Sequence, residues 1–268
     1  MKSVLIILVG LFLASPSDAV ELEGPLTQGG MVTGVAEPGT KLTLDGVAVP
    51  VAENGRFIFG FGRDAASRAM LEITYPDGRA ETLTLDIATR EYDIRRIDGL
   101  PQRTVTVPPE EQTRRRQERA MVGEARAVFS EQFHWTEDFI LPAEGRISGV
   151  YGSQSILNGE PRSPHYGLDI AAPTGTPVVA PASGTIVLAE TGFLFEGGLI
   201  IIDHGFGVFS ALLHLNTVDV KTGDEVKRGE VIATLGATGR ATGPHVDWRM
   251  NWRNVRIDPG LLVDLETE

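Results

Sequence analysis

Apolar and polar positions alternate with a period of two over many short runs of this chain, the pattern of half-buried strands, and helical spacing is confined to one region. Between Val20 and about residue 100, runs such as Lys41 to Leu44, Arg56 to Phe61 and Leu71 to Tyr75 are divided by the turn signals "EPGT", "ENGR" and "YPDG". These predict a small all-β domain over residues 20–100. Residues 101–135 differ: "VPPEEQTRRRQERAMVGEARAVFSEQF" opens on prolines and mixes arginine and glutamate with spaced Ala, Met and Val. Met121, Ala125 and Val128 fall on one helical face, which predicts a linker with a helix starting after Pro109. The triple arginine 114–116 is nearly cancelled by Glu110, Glu111 and Glu118 and reads as a solvated helix face. Residues 136–268 return to strand runs, "TPVVAP", "GTIVLA", "LIIIDH", "VFSALLHL" and "EVIATLG", divided by glycine turns. The fold class expected is all-β, two β domains joined by one helix.

Length and composition sharpen this picture. A chain of 268 residues that is 42% hydrophobic has enough apolar material for one large core or two smaller ones. Its formal charge of -12 is shared by both β regions, and no basic patch appears, so nucleic acid is excluded as a partner. Met1 to Ala19 carries Lys2, the apolar run "VLIILVGLFLA" and a small-residue exit at Ser17 and Ala19, the pattern of a cleaved secretory signal. With that signal removed, no stretch is expected to lie in a membrane, and the mature chain is expected in the periplasm or secreted. There is no cysteine, so neither disulfides nor lipid attachment through cysteine is available. The first β domain resembles the immunoglobulin-like modules of secreted bacterial proteins and holds no residue that points to chemistry.

Four of the five histidines, His165, His204, His214 and His245, fall in the second domain. His134 lies at the end of the linker and reads as a surface or packing residue. In "PHYGLDIAAPTGTPV", His165 and Asp169 are four apart, with Gly167 between them to loosen the backbone. An imidazole and a carboxylate that close can chelate a divalent ion, although a His–Asp hydrogen bond would account for the same spacing. In "GPHVDWRMNW", a strand places His245 and Asp247 on one face, with Val246, Trp248 and Trp252 packing on the other.

Three elements in order, H-x-x-x-D at His165 and Asp169, "LLHLN" around His214, and "GATGRATGPHVD" ending at His245 and Asp247, make the chain similar to a known family. With "HYGLDIAAPTGTPVVAPASGTI", "IIDHGFGVFSALLHL" and "VKTGDEVKRGEVIATLGATGRATGPH", it resembles the lysostaphin/LytM-type zinc metalloendopeptidases, which cut peptide cross-links of peptidoglycan. The resemblance covers most of residues 146–252. It implies a groove-shaped β domain of the duplicated-hybrid-motif type with zinc on the groove floor. Residue by residue, it implies His165 and Asp169 as zinc ligands and His214 and His245 as the pair that polarises water and stabilises the oxyanion. His204 matches a position without a catalytic role and is expected to be a strand-end packing or turn residue. Where an arginine often follows the groove-rim Tyr151-Gly152, this chain has Ser153, Gln154 and Ser155.

The main departure is Asp247, which stands where the family's H-x-H motif has its third zinc ligand. A carboxylate oxygen is an acceptable ligand. With neutral His165 and ionised Asp169 and Asp247, however, the ion and its ligands would be formally neutral instead of singly positive, and such a centre acidifies water less. The functional expectation is a secreted, zinc-dependent endopeptidase acting on the peptides of peptidoglycan. Two alternatives stay open: a non-catalytic groove that binds peptidoglycan or activates a cell-wall amidase, or Asp247 bonded to His245 with no metal.

Overall fold

A computed structural model describes residues 20–98 and 109–265, and the expected leader at 1–19 lies outside the described residues. The first β unit is built from β1 (Glu21–Glu23), β2 (Met31–Val35), β3 (Lys41–Leu44), β4 (Val47–Val49), β5 (Arg56–Gly60), β6 (Arg68–Thr74) and β7 (Ala80–Asp86). They pair antiparallel as two sheets, in the orders β1-β2-β5 and β4-β3-β6-β7. The alternation read from the sequence decides which side is dry: on β6, Ala69, Leu71 and Ile73 are buried and their neighbours are exposed. Val32, Phe57, Phe59, Leu42 and Leu44 join that apolar interior, in an immunoglobulin-like sandwich. On the other face of β5, Ile58 is also buried and Gly60 lies against Ile257 and Trp252 of the second unit, so the two units share one core.

Between the units run β8 (Ile94–Ile97) and α1 (Pro109–Arg126). The second unit follows with β9 (Arg146–Gly149), β10 (Gln154–Leu157), β11 (Glu160–Pro161), β12 (Gly167–Ala171), β13 (Pro177–Val179), β14 (Gly184–Phe193) and β15 (Gly197–Gly205). It continues through β16 (Val208–Val218), β17 (Glu225–Val226), β18 (Val231–Leu235), β19 (His245–Trp252) and β20 (Val255–Ile257). Its main sheet has the order β17-β14-β15-β16-β19-β12-β9, with β20 on β19 and β18 bridging β16 to β13. The segment in which the rim arginine is replaced, Ser153 to Ser155, enters β10, and β10 pairs parallel with β8. A bond from Arg63 Nε to the Gly152 carbonyl, 2.8 Å, and the Arg90–Asp258 ion pair, 2.7 Å, reinforce that junction.

Both faces of β15 are buried, because the sheet is covered on both sides. Ile200, Ile202, Leu212, Trp248 and Met250 point into the main core, while Leu199, Ile201, Phe209, Ala211 and Leu213 form a second cluster with Val122 and Ala125 of α1. Leu213 pairs with Asp247 and Ala211 with Arg249 across β16 and β19, so α1 packs on the same face of the sheet that carries Asp247. The helix forms where the sequence places it, but its buried stripe differs. Ala125 is buried and Val122 packs beside it, whereas Met121 is 37% exposed and Val128, 47% exposed, lies beyond the last turn.

The arginine run is only in part the solvated face its charge balance implies: Arg114 and Arg116 are exposed, but Arg115 is not. Arg115, 14% exposed, makes a two-pronged pair with Glu196, with Nη1 to Oε2 at 2.5 Å and Nη2 to Oε1 at 2.9 Å. Arg114 bonds Glu118, which is itself buried and accepts the Leu194 N–H. Net charge in a window measures neutralisation, and here the neutralising carboxylate comes from 81 residues away. His134 is half-exposed in a short turn beside Glu137, and His204 is buried, as the sequence reading expects.

Candidate metal centre and flanking histidines

Strands β12 and β19 run antiparallel with Asp169 directly opposite Asp247, so the two carboxylates stand side by side on one face. His165 sits just before β12, held by its N–H bond to the Ser153 carbonyl and by Gly152 N–H donating to its own carbonyl, both 2.8 Å. Its Nε2 lies 3.2 Å from Asp169 Oδ1. One ligand atom from each of His165, Asp169 and Asp247 falls within 4.8 Å of the others. His165 Nε2, Asp169 Oδ1 and Asp247 Oδ1 are also buried without a hydrogen-bond partner. Three orphaned polar atoms converging on one point are costly unless something charged and shared satisfies them.

Two glycines keep that point open. A Cβ on Gly167 would stand 2.0 Å from Asp247 Oδ1, and one on Gly149 would stand 2.3 Å from Asp169 Oδ2. Gly167 is therefore needed for space and not, as its place in the sequence implies, to loosen the backbone; its φ lies outside the left-handed region. A nitrogen and two carboxylate oxygens, with side chains barred from the space between them, fit a divalent ion such as zinc.

His245 opens β19, with its Nε2 3.9 Å from Asp169 Oδ1. Its Nδ1 donates to the Gly243 carbonyl at 2.8 Å, so the neutral ring keeps its lone pair on Nε2. The same holds for His214, whose Nδ1 donates to the Thr238 carbonyl at 2.9 Å. The two rings are 4.7 Å apart. His214 sits at a break in the β15–β16 register with φ +66°, a conformation costly for a residue other than glycine, asparagine or aspartate. Its N–H is fixed on the Glu196 carbonyl at 2.8 Å, and Glu196 is the residue Arg115 of the linking helix grips. The arginine run thus braces the backbone that aims a site histidine.

Charges in the site are mutually adjusted. Burial opposes a proton on His165, but the Asp169 carboxylate 3.2 Å away and the charge of Asp247 outweigh burial and raise its pKa. Burial lowers that of His214, the Thr238 bond and Asp247 opposing. Burial would raise that of Asp247, yet Arg249, then His165, hold it below the usual carboxylate range.

Arg249 is the site residue that sequence reasoning missed. Its Nε and Nη2 both donate to Asp247 Oδ2, at 2.9 and 2.5 Å, leaving Oδ1 to the site. The formally neutral centre expected from His165, Asp169 and Asp247 omits this guanidinium, which adds one positive charge beside them. The signal was present: the period-two rule that pairs His245 with Asp247 also places Arg249 on their face. Nor does Asp247 bond His245, the other arrangement considered, since its hydrogen-bonded partner is Arg249.

Residues 163–259 match the model of peptidase family M23. Over 95 residues, 35% of this chain and 22% of the relative, the sequence is 39% identical to the peptidoglycan DD-endopeptidase ShyB of Vibrio cholerae. Over 98 residues, 37% of this chain and 31% of the relative, it is 39% identical to a lipoprotein NlpD/LppB homolog of Pseudomonas aeruginosa. The chain thus spans a third or less of the length of these relatives. A crystal structure of a protein assigned to peptidase M23 from Pseudomonas aeruginosa is similar over 88% of this chain and 94% of its own, with 29% identity and a TM-score of 0.66. Residues 163–259 of the C-terminal β unit thus carry the peptidase M23 pattern, and the fold around them is similar to that of a protein assigned to the same family.

Proposed function

We propose that the chain is a zinc-dependent endopeptidase that hydrolyses peptide cross-links of bacterial peptidoglycan, working in the periplasm or outside the cell. The observation that carries this reading is the convergence of His165 Nε2, Asp169 Oδ1 and Asp247 Oδ1, buried and unpartnered, beside two imidazoles that each keep a lone pair on Nε2. The DD-endopeptidase among the relatives supports the substrate class, and the apolar leader and the lipoprotein relative support the location. Peptidoglycan peptide is the partner; the NlpD-like relative leaves room for a cell-wall amidase as a second.

His165, Asp169 and Asp247 would hold the ion with three protein ligands and leave it accessible to water or substrate. The bound ion supplies acidified water and a polarised peptide carbonyl. His245 accepts the proton of the attacking water on Nε2, and its Nδ1 bond to Gly243 fixes the ring for that task. His214 is neutral at rest, so it donates to the oxyanion from Nε2 only after taking a proton from solvent, which the developing negative charge favours, and it gives that proton back when the oxyanion collapses. The peptide nitrogen leaves with the proton that His245 took from the water.

Zinc content of the purified mature chain, measured beside Asp247→Ala, tests the reading, with digestion of cross-linked peptidoglycan as the second readout. One zinc per parent chain, lost in the variant together with new amine termini in the digest, is the expected result. Zinc retained by Asp247→Ala would remove Asp247 from the ligand set, and zinc binding without cleavage would overturn the enzymatic assignment.

A further inference from the structure

Position 247 departs from the family's motif, and the structure gives that departure a partner. Arg249 directs two N–H groups at the same oxygen, Oδ2, of Asp247. The carboxylate side chain is 3% exposed and the guanidinium side chain 27%. The register places Gly167 opposite Arg249, and a Cβ there would come within 2.9 Å of Arg249 Cγ as well as 2.0 Å of Asp247 Oδ1. The arginine stem and the ligand carboxylate thus occupy one space, cleared by one glycine.

We propose that Arg249 is a positioning residue that makes Asp247 act as a neutral, one-oxygen ligand, so that residues 247 and 249 work only as a matched pair. The proposal rests on the reading of Asp247 as a metal ligand. Two physical effects combine. A carboxylate with both oxygens unengaged can chelate through both and crowd a four-coordinate centre; with Oδ2 held by the guanidinium, only Oδ1 is offered. The charge is matched as well: a divalent ion with neutral His165 and anionic Asp169 and Asp247 is formally neutral, and Arg249 brings the assembly to +1. That is the charge of the family's site with two histidines and one aspartate. A histidine at 247 in this chain would leave the partly buried guanidinium beside the ion without its hydrogen-bonded carboxylate, with its charge offset only by the more distant Asp169 and Glu196.

The consequence runs against intuition: restoring the family's own residue should impair this site unless Arg249 is removed with it. The test is a double-mutant cycle on the full mature chain, comprising the parent, D247H, R249M and D247H/R249M. The zinc dissociation constant is read by competition with a chelator, and circular dichroism checks each fold. We expect D247H to weaken zinc binding at least tenfold more when Arg249 is present than when R249M accompanies it. A smaller coupling would overturn the proposal. If D247H does not fold, D247N serves in its place, because it replaces one of the two carboxylate oxygens with an NH2 donor that can serve neither the ion nor the guanidinium, and the same threshold applies. Undiminished zinc binding in D247A would instead overturn the ligand reading on which the proposal stands.

Discussion

The two β units follow one alternation rule but differ in what their interiors leave unmet. In the first, strand after strand places an apolar side chain inward, and Thr40 Oγ1 is its one buried, unpartnered side-chain polar atom among the described residues. In the second, the same rule packs Ile200, Leu212, Trp248 and Met250 on one face of the sheet, while the other face gathers three unpartnered ligand atoms within 4.8 Å. A fold that stabilises itself elsewhere yet tolerates such a cluster holds it for something that binds. The contrast teaches where to look for function: in the groups the fold does not satisfy.

The comparison is broken most severely at the cluster. Asp169→Ala removes a charge that faces both His165 and His245, and zinc binding and hydrolysis should fall to background while circular dichroism stays unchanged. Loss of secondary structure would mean that the carboxylate supports the fold instead. The converse is Phe57→Ala in the first unit, where a fully buried ring stacked on Phe59 at 6.2 Å is deleted. About 3–5 kcal/mol of stability should be lost in denaturant unfolding. The zinc dissociation constant of the folded fraction should not move, and a change there would couple the first unit to the site.

Smaller effects sharpen the contrast within the second unit. His214→Ala should lower kcat about 100- to 1,000-fold, in line with the loss of one oxyanion donor. Zinc should remain at one per chain, and loss of the metal would make His214 a ligand. Gly167→Ala, which sets a methyl 2.0 Å from Asp247 Oδ1, should cost about 1–3 kcal/mol of zinc affinity. Unchanged affinity would show that Asp247 Oδ1 is not where the ion binds.

The sequence made much of this legible for a physical reason. Period-two alternation depends on neighbours along the chain, so the strands, the pairing of His245 with Asp247 on one face and the burial of Trp248 could be read directly. What escaped depends on residues distant in sequence. The Arg115–Glu196 pair joins α1 to the β14–β15 turn, and Val122 and Ala125 turn inward because the sheet happens to cover them. Gly167 reads as a flexible joint until Asp247 is seen across the register. Arg249 is the exception: a local rule would have found it, had the same strand face been followed two residues further.

The smallest effect separates two histidines of the same sheet. His214 is aimed at the site, whereas His204 is wholly buried in the core, donating from Nδ1 to the Ser183 carbonyl at 2.7 Å and accepting from Ser210 Oγ at 2.8 Å. Burial pushes its pKa from 6.5 down to about 4. Between those values the unfolded chain binds a proton that the folded chain refuses, so stability is complete above about pH 6.5 and falls as the pH drops toward 4. The slope from this one group is at most about 1.4 kcal/mol per pH unit. His165, whose value is raised, acts in the opposite sense and at higher pH, whereas His214, whose value burial lowers, acts in the same sense as His204. Gln in place of His204 can donate to the same carbonyl and accept from the same hydroxyl without titrating. In urea unfolding at a series of pH values, His204→Gln should flatten the acid limb between pH 6.5 and 4 and leave zinc binding at neutral pH as it was. An equally steep limb in the variant would place the acid sensitivity in the site histidines and remove the distinction between the dry face of the sheet and the wet one.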